Sequence, residues 1–271
     1  MNKSSANPLT KVLTRIKELK AKRAERSRIN ALTKELIAVV KNPDENAAKK
    51  IKNLVRQGAD INTFDMDKER SLLHFAAERK RLDAVKALIE NGCKTYINLN
   101  DVYGKDPAFY AIDNNNPQML EYLLGHGVST KRPADFNLVS SFRYAVRSGN
   151  IEMVKIELKH GADINDHVGE SFRLYDKYEK TYPGPTPLAE VAAGKESYEP
   201  QSSTETTKVY DTEMLEFLLK NGARTDLCDA YGNNAYDNAK SSVVQKLLHK
   251  HKEQKRQILA EMIKQSKVKL M

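Results

Sequence analysis

One pattern recurs along this chain: a turn, a short helix of small apolar residues, a second turn, and a leucine-rich helix that ends on glycine. It is clearest in residues 101–130. Asp101 and Gly104 bracket a turn, because glycine accepts positive φ at no steric cost. Asp106-Pro107 starts a helix: the carboxylate can cap it, and proline at the first helical position lacks an N–H that had no partner there. Ala108, Ala111 and Ile112 then share one face. Asn114-Asn115-Asn116-Pro117 ends that helix and starts another, in which Met119, Leu120, Leu123 and Leu124 form an apolar stripe at helical spacing. Gly127 stops it. Two helices this short cannot bury a core alone, so the unit must stack on copies of itself.

The copies are present. Aligning Asp106 with Ser71 brings Leu73, His74, Ala76, Ala77, Val85, Leu88, Ile89, Gly92 and Cys93 into equivalent slots. Aligning it with Ser140 does the same for Ala145, Val146, Gly149, Asn150, Met153, Val154, Leu158, Gly161 and Ala162. The offsets are 35 and 34 residues. This period and pattern resemble the ankyrin repeat, about 33 residues around a Thr-Pro-Leu-His-x-Ala core. Ser71-Leu-Leu-His-Phe-Ala-Ala77 and Thr186-Pro-Leu188 are closest to that core. Gly58-Ala-Asp-Ile-Asn62 and Gly161-Ala-Asp-Ile-Asn165 match the family's helix exit.

The resemblance covers residues 34–250 and implies an all-α solenoid of helix-turn-helix repeats with hairpin fingers. It divides the chain into a basic amphipathic helical extension (1–33), a repeat domain (34–250) and a basic C-terminal helix (251–271). The repeat domain holds a capping repeat (34–62), repeats at 66–98, 101–130, 135–165 and 181–226, and a short last repeat (229–250). There are departures. Glu69 stands where a finger turn calls for glycine, so that turn should be less regular. Leu138 does the same in a later finger. Glu157 occupies a leucine slot and is expected to pair or face water, since a buried lone carboxylate is costly. The fourth repeat carries two inserts. One lies within 166–185 and bears Phe172, Tyr175, Tyr178 and Tyr182. The other, near 195–210, is rich in Ser, Thr, Glu and Lys and is expected to be mobile.

Charge separates the ends from the middle. The net charge is +9, yet residues 1–30 carry nine Lys/Arg against two Glu and residues 246–271 carry eight against two. The repeats between them are therefore net acidic. Leu9, Val12, Leu13, Ile16 and Leu19 line one helical face near the N-terminus and are expected to pack on the first repeat. Ile258, Leu259, Met262 and Ile263 are the apolar residues of the basic C-terminal helix, which either caps the C-terminal end of the repeats or frays in its last residues. An alternative use for both basic ends, residues 1–30 and 246–271, is an anionic membrane or nucleic acid.

Catalytic chemistry is not legible. The chain has no phosphate-binding glycine loop, no nucleophile elbow, and no His/Cys spacing suited to a metal. We therefore expect no enzyme activity, no cofactor, no metal site and no small-molecule substrate. An enzyme built on the fourth repeat's inserts is the remaining alternative. His74 sits in the family's histidine slot, where the ring bonds backbone between repeats. Asp60-Ile-Asn62 resembles the ankyrin finger that asparaginyl hydroxylases modify, although a loop asparagine that holds its turn has the same pattern. Cys93, in a slot usually held by alanine, reads as a small buried thiol.

The longest uninterrupted apolar run, Leu36-Ile-Ala-Val-Val40, is far too short to span a bilayer. Two unrelated thiols and no secretory signal pattern suit a cytoplasmic compartment, with a nuclear address as a further option. Degenerate repeats in a Lys/Asn-rich chain also resemble ankyrin effector proteins that intracellular bacteria deliver into host cells.

What the resemblance implies instead is a monomeric protein-binding surface, built from finger tips and the exposed positions of first helices. Mapped onto this chain, those positions are Arg70, Arg79, Tyr103, Lys105, Asp113, Asn114, Phe136, Arg147, Tyr182 and Tyr231. Aromatic tips suit a protein partner, because they offer large contact area with few torsions to freeze.

Overall fold

In the computed structural model, which describes residues 8–131, 139–166, 184–197, 207–209, 211–229 and 231–268, each repeat after the capping repeat begins with a side-chain cap. Asp106 accepts from the N–H groups of Ala108 and Phe109 at 2.8 and 3.3 Å. Ser140 Oγ accepts from Arg143 N, and Thr186 Oγ1 from Ala189 N. At Ser71 the capping is reciprocal: the His74 ring reaches back to the Ser71 N–H. Each cap satisfies helix-terminal donors that otherwise have no partner.

The chain forms two compact units, 1–128 and 129–271. In the first, α1 (Pro8–Lys41), α3 (Leu72–Glu78) and α5 (Pro107–Asp113) stack in one layer. A second layer holds α2 (Ala47–Arg56), α4 (Leu82–Glu90) and α6 (Pro117–Gly125). Between the layers lie Leu36, Ile51, Leu73, Ala76, Leu88, Ala108, Ala111, Met119, Leu120 and Leu123, all buried. Small residues in the first helices let the layers approach, and each buried Leu or Ile contributes about 1.5–3 kcal/mol. The turns between paired helices need a left-handed residue: Lys80 (φ 60°) in one repeat and Asn115 (φ 50°) in the next. A two-stranded hairpin, β1 (Phe64–Asp65) with β2 (Arg70–Ser71), forms the first finger. Its turn is regular enough to place Glu69 at φ 51°, but its paired ends, 65 and 70, lie one residue further apart than 101 and 105 in the next finger.

The second unit repeats the arrangement with α7 (Ser141–Ser148), α8 (Ile151–Lys159), α9 (Pro187–Ala193), α10 (Thr212–Lys220), α11 (Ala235–Asn238) and α12 (Ser242–Val268). In the 195–210 insert, β3 (Lys195–Ser197) pairs antiparallel with β4 (Thr207–Val209), so its two ends are ordered as a hairpin stem. Most of the 166–185 insert, with its four aromatic residues, and Leu138 lie outside the described residues.

Two expectations need correction and a third is narrowed. First, no break separates the N-terminal extension from the capping repeat: α1 runs unbroken through residue 33. Second, Val12, Leu13, Ile16 and Leu19 do not pack on the first repeat; all are exposed. The reason is reach. Leu36 and Val40 bury the packing face of α1, but Ile16 lies twenty residues before Leu36, about 30 Å along a helix that rises about 1.5 Å per residue, and every residue from Val12 through Arg28 is exposed whichever way it faces. The N-terminal part of α1 therefore extends beyond the first repeat. The third is narrowed: Glu157, expected to pair or to face water, is fully buried in α8, which excludes the second.

Candidate functional site

Two fingers, one in each unit, close with the same turn. Asp101 Oδ1 accepts from the N–H groups of Tyr103 (2.9 Å) and Lys105 (3.0 Å), and Gly104 N donates to Asp101 O (2.8 Å). Asp229 Oδ1 accepts from Tyr231 N and Asn233 N, both at 2.9 Å, and Gly232 N donates to Asp229 O (3.0 Å). Gly104 and Gly232 have φ of 72° and 81°, which an L side chain rarely adopts. The aspartate locks the loop, the glycine turns it, and the residue between them is pushed outward. That residue is a tyrosine in both cases, 69% exposed at Tyr103 and 67% at Tyr231.

Arg70 is not a surface contact. Its guanidinium is buried, with Nε 3.1 Å from Asp101 Oδ2 and Nη1 3.1 Å from Glu78 Oε1, and Nη2 donates to the Tyr110 hydroxyl. Tyr110 in turn donates to Asp101 Oδ2 at 2.5 Å. Burial alone would raise the Asp101 pKa. The hydrogen bonds from Tyr110, the Lys105 and Tyr103 N–H groups and Arg70 outweigh it and hold the carboxyl below the usual range. Burial, then the Asp101 bond, push the Tyr110 phenol up. The network ties β2 and α3 of one repeat to the finger and first helix of the next, and the Arg70 guanidinium lies 5.9 Å from the Tyr103 ring centre. It fixes the base from which Tyr103 projects.

The other mapped residues divide. Arg79 is exposed. Lys105 Nζ pairs with Asp113 Oδ2 at 2.7 Å across the finger and first helix. Asn114 Nδ2 donates to the Ala77 carbonyl at 2.8 Å, so it is bound to the preceding repeat. Arg147 chelates Glu190 on α9, Nη2 to Oε1 at 2.8 Å and Nε to Oε2 at 3.2 Å, and the buried Arg143 joins the same carboxylate. Phe136 and Tyr182 lie outside the described residues. Asp101, Glu78, Tyr110, Arg143 and Glu190 were not singled out from sequence as an ionic lattice between repeats. Only the pairing of a finger Arg with a turn Asp about one repeat later could have signalled it.

His74 performs its slot's structural task. Nδ1 accepts from Ser71 N (3.1 Å) and Ser71 Oγ (2.8 Å), which leaves Nε2–H to donate to the Lys105 carbonyl at 3.1 Å. Burial lowers its pKa to about 4, so the ring is neutral at physiological pH. Asn62 Oδ1 accepts from Thr95 N, and Asn165 Oδ1 accepts from Arg224 N at 2.8 Å: both helix-exit asparagines hold the loop of a following repeat. Cys93 is buried, and burial, followed by Asp60, raises its thiol to about 12. Among the described residues no group of His, Cys, Asp or Glu could hold a metal ion, and no helix is long and apolar enough to cross a membrane.

Comparison with known proteins agrees with this architecture. A family model described as ankyrin repeats, three copies, matches residues 36–134. An ankyrin repeat domain-containing protein of Myxoma virus is 25% identical over 239 residues, covering 80% of this chain and 49% of its own length. A putative ankyrin repeat protein of Acanthamoeba polyphaga mimivirus is 28% identical over 144 residues, 48% of this chain and 19% of its own. The chain thus spans less than half the length of either relative. The crystal structure of the ankyrin repeat protein EF0377 superposes with a TM-score of 0.59 at 22% identity, over 80% of this chain and 97% of that one. The in-register repeats match the ankyrin-repeat family over residues 36–134, and over 80% of its length the chain shares the ankyrin-repeat fold.

Proposed function

We propose that this chain is a non-enzymatic module that binds a protein partner through its finger tips, with Tyr103 and Tyr231 as anchors. The observation that carries this reading is the matched turn: two fingers in separate units use the same Asp and Gly geometry to expose a tyrosine. A structural side chain would be covered, whereas these are about two-thirds exposed on rigid loops. Tyrosine loses little torsional freedom on binding and offers both apolar area and a hydroxyl. Around Tyr103 the ion pair of Lys105 with Asp113 and the exposed Arg79 supply mixed charge, which suits a polar interface rim better than a phosphate backbone.

Two free thiols support a reducing, cytosol-like compartment, and a monomer is the proposed state. Delivery into a host cell as an effector is the more specific form of the proposal. It rests on the degenerate, insert-bearing repeats alone. The test is affinity capture from a cytosolic extract by the whole chain and by the Tyr103→Ala, Tyr231→Ala double variant. Proteins captured by the former and lost with the latter support the reading. Identical captures refute it.

A further inference from the structure

The second half of α12 leaves the body of its unit with its packing face still apolar. Val244 and Leu248 are buried on that face. Met262 lies eighteen residues beyond Val244, five turns at about 3.6 residues each, and Leu259 lies eleven beyond Leu248, about three turns. The stripe therefore continues in line. Among the described residues the stripe is uncovered: every residue from 254 to 265 is exposed, and Ile258, Leu259 and Met262 are each more than half exposed.

Where the stripe leaves the body, Thr225, His251, Lys252, Lys255, Arg256 and Leu259 line a cavity of about 220 Å³. Its charge is not fully neutralised. Arg256 pairs with Glu253 at 2.8 Å and Arg224 with Asp226 at 2.6 Å, while Lys252 lies over the Tyr236 ring at 5.4 Å. Burial, then Lys255, lower the pKa of His251, as expected beside excess positive charge. Lys264 and Lys267 follow along the helix, with Glu261 as the acidic exception.

We infer that residues 251–268 of α12 lie on an anionic membrane surface, with the apolar stripe at the acyl boundary and the basic cavity holding a lipid phosphate. Basic residues around an exposed apolar stripe on one helix are the pattern of interfacial helices. Lys255 decides against a packed protein helix as the occupant. It sits seven residues from both Leu248 and Met262, on the stripe itself. In a helix–helix seam its ammonium would be stripped of water, whereas at a lipid surface it can extend to a phosphate while its stem stays apolar. Three exposed large apolar side chains have no counterpart on a nucleic-acid backbone.

The experiment is co-sedimentation of the whole chain with vesicles of phosphatidylcholine alone and of phosphatidylcholine mixed with phosphatidylserine. The mixed vesicles should bind about tenfold more tightly or better. Ile258→Asp with Met262→Asp, and separately Lys255→Ala with Arg256→Ala, should each weaken that binding by about tenfold with an unchanged melting temperature. If the aspartates lower the melting temperature, Ile258→Ala with Met262→Ala reads the same loss. The inference is overturned if both α12 variants sediment like the parent, or if Val12→Asp with Ile16→Asp in α1 abolishes binding while the α12 variants retain it. It is equally overturned if the chain ignores vesicles but binds duplex DNA or free inorganic phosphate.

Discussion

Arg70 and Asp101 form a buried ion pair between consecutive repeats, with Nε 3.1 Å from Oδ2 and the Asp101 side chain fully enclosed. The same aspartate caps the turn that presents Tyr103. Stacking and presentation therefore share one carboxylate. Removing one partner of a buried pair strands the other charge, at a cost of about 3–5 kcal/mol. Asp101→Ala should lower the urea midpoint accordingly. Tyr110→Phe deletes a donor to the same oxygen and the acceptor of Arg70 Nη2 but leaves the ion pair, and should cost less, about 1.5–3 kcal/mol.

Tyr103→Ala and Tyr231→Ala should leave thermal stability almost unchanged, because exposed side chains add little to the stacked core. Each should weaken partner binding by roughly 1–2 kcal/mol or more, measured by calorimetry once affinity capture has identified the partner. Early unfolding of the double variant, with normal binding by the folded remainder, would make these tyrosines structural.

His74 couples stability to pH. Its folded pKa, about 4, lies below the 6.5 of a free imidazole, so the unfolded chain binds more protons between those values. Its contribution is complete above about pH 6.5 and is lost as pH falls towards 4, up to roughly 3 kcal/mol at about 1.36 kcal/mol per unit. Denaturant titrations at several pH values should show this slope in the parent. In His74→Gln the slope over that window should be shallower.

Glu69 and Lys80 adopt left-handed φ of 51° and 60° where Gly104 and Gly149 serve equivalent turns. A non-glycine residue pays about 1 kcal/mol there. Glu69→Gly and Lys80→Gly should each raise stability by about 0.5–1 kcal/mol, after allowance for the extra freedom glycine gives the unfolded chain. A drop in melting temperature for either would show that its side chain makes contacts outweighing the strain.

Deletion of residues 1–26 should leave the melting temperature unchanged, since the residues from Val12 through Arg28 are exposed. The deletion stops short of Arg28, whose guanidinium reaches the Gln57 carbonyl, and of Thr33, whose hydroxyl accepts from Asp60 N. A clear loss of stability would return the N-terminal stripe to the packed core.

The repeat period, the caps at Ser71, Asp106, Ser140 and Thr186, and the core leucines were legible in the sequence because each depends on neighbours a few residues away. Helix periodicity, capping and glycine turns are local physics, and stacking merely multiplies them. The Asp-x-Tyr-Gly turn belongs to the same class, which is why the exposure of Tyr103 and Tyr231 was legible. Arg70, Asn114 and Arg147 were mapped as surface residues because local pattern reports which helix face a residue occupies, not what the next repeat brings against it. Asp101 and Glu190 arrive from about one repeat or more along the chain, and only stacking closes those pairs. The terminal stripes show the same division. Sequence showed that Val12 through Leu19 and Ile258 through Ile263 are apolar faces. Whether such a face is covered depends on where the body begins and ends. In α1 the stripe lies before the first repeat; in α12 it stays in line with the packing face and outruns the last repeat.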